Sequence, residues 1–196
     1  MDYRNIQNFY AGKSVLVTGD TGFKGAWLCQ ILTAFGAKIT GYALAPTPEQ
    51  RLWGMLSLPE KIQSVEGDVR NLEHMLHTFQ QAKPEIVFHM AAQPLVREGY
   101  QDPVNTYSIN VMGTVHMLEC VRQTDSVHSV VNITTDKVYQ NKEWVWGYRE
   151  EERLDGYDGE VYGQLPEHVE TITEETFGSL NPLELRSCYG EGKRAG

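Results

Sequence analysis

The chain has 196 residues, 41% of them hydrophobic and 22% charged, with a formal net charge of −9. That length suits one domain with a real core rather than two, because a chain of roughly 150 residues already buries about 70% of its unfolded surface, and the composition excludes a wholly disordered polymer. The acidic balance argues against a nucleic-acid binder, which needs clustered Lys and Arg, and no apolar run nears the roughly 20 residues that cross a bilayer.

The opening Met1-Asp2-Tyr3-Arg4-Asn5 has no apolar stretch of the secretory kind. Lys13–Thr18 is a short apolar run opening into glycine, which predicts a buried parallel strand. Phe23, Trp27, Ile31 and Phe35 then fall at helical spacing, with Leu28 and Leu32 beside them. They predict an amphipathic helix lying on a sheet by that face, and Gly36 suits the left-handed cap that would end it. Ile39–Leu44 predicts a second strand. Pro46, Pro48 and Pro59 mark a loop. Lys61–Val65 is a weak strand leading to Gly67-Asp68, and Asn71 can cap a helix bearing Leu72, Met75, Leu76 and Phe79. Glu85–His89 predicts a fourth, buried strand. Pro103–Gln123 predicts a long helix in which Asn110 reads as an ordinary surface polar residue. Ser129–Thr134 predicts a fifth strand. Strand and helix alternate throughout, the grammar of an α/β fold with a parallel sheet and right-handed crossovers.

Beyond Thr135 that grammar changes. Residues 139–185 are rich in acids and show no clear helix or apolar strand, an unusual length for a structureless connection. They are expected to be an irregular loop and the least ordered part of the chain. Asp136-Lys137-Val138-Tyr139-Gln140 is echoed by Gly159-Glu160-Val161-Tyr162-Gly163-Gln164. The three cysteines, Cys29, Cys120 and Cys188, are too sparse for a disulfide framework and lack zinc spacing, so they read as reduced thiols. No metal site is expected.

The chemistry begins at Gly19-Asp20-Thr21-Gly22-Phe23-Lys24-Gly25, between the first strand and the first helix. In a dinucleotide-binding turn the first glycine allows the bend, the second lets a pyrophosphate approach the backbone, and the third lets helix pack on strand. Free amides at the helix start then face the phosphates. The end of the second strand, Gly41–Ala45, has neither the acid that holds an NAD ribose nor an Arg for the extra phosphate of NADP, so that choice stays open. Asp68 could accept from an adenine amino group or serve as a turn acid. Ala91 and Ala92 end the fourth strand with small side chains that permit close approach by a ligand, while His89 reads as a satisfied core histidine. Thr134-Thr135-Asp136-Lys137 ends the fifth strand at the same edge. Tyr189 and Lys193 share a face if their segment is helical, and a nearby ammonium would lower the tyrosine pKa from about 10 toward that of a useful base.

Together these residues resemble the extended short-chain dehydrogenase/reductases acting on nucleotide sugars. Residues 1–158 are most similar to the CDP-glucose 4,6-dehydratase branch. The similarity rests on Val17-Thr18-Gly19 through Leu28, Gly41–Leu44, His89–Arg97, Asn110–His116, Thr135-Asp136-Lys137 and Glu143–Glu150. Residues 159–196 resemble UDP-glucuronate decarboxylase-like enzymes, through Glu160–Gly163, Asn181-Pro182 and Arg186–Arg194. The post-strand loop thus occurs twice, once in the form of each branch, with a junction near residue 158.

The resemblance implies a Rossmann-type NAD(P)-binding domain over 1–196, lacking the C-terminal region that binds the sugar nucleotide in such enzymes. It implies NAD, with NADP not excluded, held by Gly19, Thr21, Gly22, Phe23, Gly25, Asp68, Val69, Ala91, Ala92, Gln93 and Lys193. It also implies a transient hydride transfer to NAD, in which Tyr189, aided by Lys193 and Thr135, takes the proton of the sugar 4-hydroxyl. Asp136 and Lys137 then assist loss of water across carbons 5 and 6. The expected substrate is a nucleotide sugar, CDP-glucose, handled in the cytoplasm by a homodimer formed through the long helix, with no nucleic-acid or membrane partner. Two other readings are a non-catalytic NAD(P)-binding module and, more weakly, a decarboxylase- or epimerase-like enzyme.

Overall fold

The computed structural model describes residues 3–48, 50–134 and 142–149. Strands β1 (Ser14–Thr18), β2 (Lys38–Ala43), β3 (Gln63–Glu66), β4 (Ile86–His89) and β5 (Ser129–Asn132) form one sheet. Their order is β3-β2-β1-β4-β5, and every neighbouring pair is parallel. The order reverses between β1 and β4, so a crevice opens at the carboxyl ends of these strands, where sheets of this kind take ligands. The fold is the expected Rossmann-type α/β sheet.

Alternation along the strands divides the core. Val15, Val17, Ile86 and Phe88 face helix α2 (Phe23–Ala34), where they meet Ala26, Cys29 and Leu32. Leu16 and Val87 face the other way, toward Met75 and Phe79 of α4 (Leu72–Ala82) and Met117 and Cys120 of α7 (Gly113–Arg122). A side-chain period of two sends successive residues to opposite faces, so central strands buried on both sides read as continuous apolar runs. The caps are as expected. Gly36 takes a φ of +81° after α2, and Asn71 accepts from the His74 amide at 3.1 Å at the start of α4.

Helix α2 meets the sheet by a different face from the one its aromatic spacing predicts. Phe23 is 71% exposed, Trp27 45% and Ile31 46%, whereas Gly25, Ala26, Cys29 and Leu32 are buried. The reason is separation. A Cβ on Gly25 would overlap the Gly19 carbonyl oxygen, so the first turns of the helix lie too close to the glycine turn for large side chains and only small residues fit there, while Leu32 and Phe35, farther along, are buried.

The proline-marked stretch after β2 is also more regular than a loop. It forms α3 (Arg51–Met55) and a single tight turn at Leu58–Glu60, with Leu58 fully buried. Further helices are α1 (Tyr3–Tyr10), α5 (Val96–Gln101) and α6 (Pro103–Tyr107). The long helix predicted over 103–123 is α6 and α7 joined by a π-helical segment, Ser108–Met112. Such insertions widen the backbone locally and often sit at functional positions. No helix among the described residues is long and apolar enough to cross a membrane.

Candidate functional site

Three loops meet at the carboxyl edge of the sheet. The first joins β1 to α2. Gly19 has a φ of +76°, which glycine alone adopts freely, and its amide donates to the Tyr42 carbonyl at 2.9 Å. A Cβ there would lie 2.9 Å from the Ala91 amide nitrogen, so this position is closed by the loop after β4. Gly25 is closed by Gly19 itself. Gly22 differs, because its Cβ would meet only the Gly19 carbonyl oxygen, at 3.3 Å. Gly22 is the N-cap of α2 and supplies no side-chain cap, and no acid stands in the first turn. The amides of that turn are thus available to an anion, and the helix dipole favours one there. Thr21 is buried and donates to the Leu44 carbonyl at 3.3 Å, tying the turn to the end of β2. Phe23 is exposed at the start of α2.

The second loop follows β4. His89 is fully buried, with Nδ1 2.7 Å from Thr18 Oγ1 and Nε2 3.3 Å from Thr114 Oγ1. The proton directions follow from the partners. Thr114 donates to the Asn110 carbonyl at 2.7 Å, so it accepts from His89 Nε2–H. Thr18 Oγ1 receives the amides of Met90 and Ala91 at 3.1 and 3.2 Å, so its own proton goes to Nδ1. His89 is the core histidine that the sequence suggests. Asn110 is not the surface residue it reads as: it is buried inside the π-helical segment. Its side chain accepts the Gln93 amide at 2.8 Å and donates to the Gln93 carbonyl at 3.0 Å. The signal that could have exposed it is the run Thr106, Asn110, Thr114, a polar stripe at spacing four, all three buried.

The third loop follows β3. Asp68 is held by the Arg70 backbone amide and by two guanidinium nitrogens, and Arg70 reaches on to Asn105 Oδ1 at 2.8 Å. Hydrogen bonds from Arg70 hold the Asp68 carboxyl below the ordinary carboxylate range, so it is an ionised acceptor. Val69 is buried, with its carbonyl 2.9 Å from His116 Nδ1.

The structure thus gathers Gly19, Thr21, Gly22, Phe23, Gly25, Asp68, Val69, Ala91, Ala92 and Gln93 along one edge. Thr135, Asp136, Lys137, Tyr189 and Lys193 lie outside the described residues, as does all of the predicted loop except 142–149. Within that stretch the Lys142 ammonium sits 4.5 Å from the Trp144 ring centre, and the Lys142 amide donates to the Tyr148 hydroxyl at 2.9 Å.

The chain is 54% identical over 152 residues to a CDP-glucose 4,6-dehydratase of Salmonella typhimurium, covering 78% of this chain and 42% of that protein. Its fold is similar to that of Thermus thermophilus UDP-glucose 4-epimerase, solved as a complex with NAD. That match has a TM-score of 0.64 and 26% identity, over 73% of this chain and 44% of the other. The Brucella ovis UDP-glucose 4-epimerase, also in complex with NAD, has a TM-score of 0.62 and 25% identity, over 74% and 42%. The chain spans about two fifths of the length of these proteins. Residues 16–156 match the model of the GDP-mannose 4,6 dehydratase family, and with its glycine turn, parallel sheet and strand-end loops the chain belongs to that family, within the short-chain dehydrogenase/reductases that modify nucleotide sugars.

Proposed function

We propose that the chain binds NAD along the carboxyl edge of its sheet and provides the cofactor half of a nucleotide-sugar 4,6-dehydratase acting on CDP-glucose. The observation that carries the cofactor is the asymmetry of the glycine turn. Backbone atoms close the space at Gly19 and Gly25, while Gly22 faces little but one carbonyl oxygen and keeps its surroundings clear for a pyrophosphate. NAD when bound supplies reversible hydride acceptance. Around it the α2 amides would hold the phosphates, and Asp68 and Val69 would receive the adenine. Ala91, Ala92 and the clamped Gln93 backbone would line the path between. The choice of NAD over NADP draws on the two NAD complexes of similar fold, since the end of β2 has neither an acid nor an Arg. CDP-glucose as substrate draws on the 54% identical relative.

The catalytic assignments rest on the resemblance alone. Tyr189, with Lys193 and Thr135, would accept the 4-hydroxyl proton, and Asp136 and Lys137 would handle the proton in the loss of water. Lys193 would also touch the cofactor. A homodimer through the long helix is supported by an apolar groove of about 470 Å³ along α6 and the π-helical segment, lined by Pro103, Val104, Tyr107, Ser108, Val111 and Met112; Val104 is 79% exposed. Buried free thiols at Cys29 and Cys120 suit the cytoplasm.

The second reading is a binding module without turnover. Calorimetry with NAD, and an assay for a 4-keto-6-deoxy product from CDP-glucose, separate the two. Binding that is lost in Gly22→Val, in a folded variant, supports the cofactor site. Product formation abolished by Tyr189→Phe supports the dehydratase, and binding without product supports the module.

A further inference from the structure

The glycine turn carries an acid that neither the phosphate cradle nor the proposed chemistry uses. Asp20 follows Gly19 directly and is fully buried. Its side chain turns away from the crevice and lies over β2, where a Cβ on Gly41 would overlap the carboxyl. Gly41 is therefore the space that Asp20 occupies. Its solvation there is poor. Ser64 Oγ donates to Oδ2 at 3.3 Å, and Oδ1 has no hydrogen-bond partner. The Trp53 indole nitrogen, from α3, is also buried without a full hydrogen bond and gives Asp20 only a weak interaction.

The charge environment offers no compensation. The elements packed around Asp20 are α2, β2, β3 and α3. Facing it from them are the Cys29 thiol of α2, the Ser64 hydroxyl of β3 and the Trp53 indole of α3, while β2 contributes only Gly41. Cys29 is the one titratable group among these, and burial, with Asp20 beside it, pushes its thiol up to about 12, so it is neutral. No cation pairs with Asp20 among the described ion pairs.

A buried anion in the loop that cradles a pyrophosphate is a direct conflict, since like charges in a poorly solvated site disfavour one another. The site has two ways out: the phosphates bind weakly, or the carboxyl takes a proton. We propose that Asp20 is protonated whenever the glycine turn holds a dinucleotide pyrophosphate, so that cofactor binding takes up one proton and Asp20 sets how affinity depends on pH. This rests on the dinucleotide reading above.

The free protein is poised for that uptake. Burial raises Asp20 from 3.8 to about 6, against weaker downward pulls from its own backbone, Ser64 and Trp53. Bound phosphates can only raise it further. Affinity is then greatest and flat below about pH 6. It falls as pH rises, by up to tenfold per pH unit, until the raised value of the bound state is passed. Asp20→Asn keeps the shape and removes the charge, so the slope should vanish and binding at pH 8 should be tighter than in the wild type.

The test is calorimetry of the 196-residue chain with NAD and with ADP-ribose, in buffers of different ionisation enthalpy, from pH 5.5 to 8.5. Proton uptake near pH 7 for both ligands is expected, absent in Asp20→Asn. Because that variant could fold poorly, infrared difference spectra of the wild type on NAD addition give a second readout: a protonated carboxylic-acid band should appear. Binding with no proton uptake and no such band would overturn this proposal and leave the dinucleotide reading standing. Absence of any binding at pH 5.5, where Asp20 is neutral, would overturn that reading instead.

Discussion

Asn110 and Gln93 are joined at two points, the side-chain amide of one accepting the backbone N–H of the other at 2.8 Å and donating to its carbonyl at 3.0 Å. A side-chain amide carries an acceptor oxygen and a donor nitrogen side by side, so it can satisfy a peptide's donor and acceptor together. The π-helical segment brings it to the loop after β4. Asn110→Leu should leave both Gln93 groups unpaired and cost about 2 kcal/mol in urea unfolding, since a net hydrogen bond is worth roughly 1 kcal/mol and a stranded partner costs more. Asn110→Asp keeps only the acceptor and should fall between. NAD affinity should drop in the same order; an unchanged unfolding midpoint in Asn110→Leu would show that the clamp is idle.

The three glycines of the turn should separate by experiment. Gly25→Ala places a methyl against the Gly19 carbonyl oxygen, and lifting α2 off the turn should cost about 3 kcal/mol, the upper end for overpacking. Gly22→Ala meets one oxygen at 3.3 Å and should cost under about 1 kcal/mol. Equal losses of stability in the two variants, by thermal or urea unfolding, would contradict the seam described for α2.

Asp68 and Arg70 give a pH-dependent contribution of known sign. The Asp68 carboxyl is held low in the folded protein, chiefly by Arg70. Its stabilisation is therefore present above the unfolded carboxylate pKa of about 3.9 and is lost as pH falls through the lower folded value. The Arg70 side chain is 43% exposed, so solvent screening limits the pair to about 0.5–1 kcal/mol. Arg70→Met should show that deficit at pH 7 and converge on the wild type as the solution is acidified below pH 4.

Asp20 carries the opposite sign. Its folded value, about 6, exceeds the ordinary 3.8, so the folded state holds the proton more tightly and stability falls between pH 4 and pH 6. That rise from 3.8 to about 6 corresponds to up to about 3 kcal/mol of penalty at pH 7. In the absence of cofactor, Asp20→Asn should be more stable than the wild type at pH 7 and little different near pH 4. Chemical denaturation at the two pH values checks both halves.

Much of the fold could be read from the chain because its local signals agree. The apolar run into Gly19, the Asn71 cap and the Gly36 stop each point to the element they form. Periodicity failed over the first turns of α2, where Phe23, Trp27 and Ile31 make the stronger stripe yet Gly25, Ala26 and Cys29 face the sheet, and held farther along, where Leu32 and Phe35 are buried. Hydrophobicity ranks faces by transfer energy and carries no information about how close two backbones come. Asn110 was missed for a related reason. One polar residue in a long helix looks solvated until Thr106 and Thr114 are taken with it as a stripe. Asp20 gives no signal of its own within a glycine-rich turn, and the hole at Gly41 shows where its side chain goes.

The central strand has a consequence for how the chain acquires its structure. β1 pairs Ser14 with Lys38 on one side and Val15 with Ile86 on the other. The first pairing closes a short loop and is within reach as soon as β2 has been synthesised. The second must wait for a much longer stretch, and closing it costs more chain entropy before any contact rewards it. A nascent β1–α2–β2 unit therefore emerges with one edge of its innermost strand bare, and with Val15 and Val17 only half covered. Glu85, whose carboxylate takes the Lys13 ammonium at 2.6 Å and the Ser14 amide at 3.1 Å, fastens that second edge once β4 has docked.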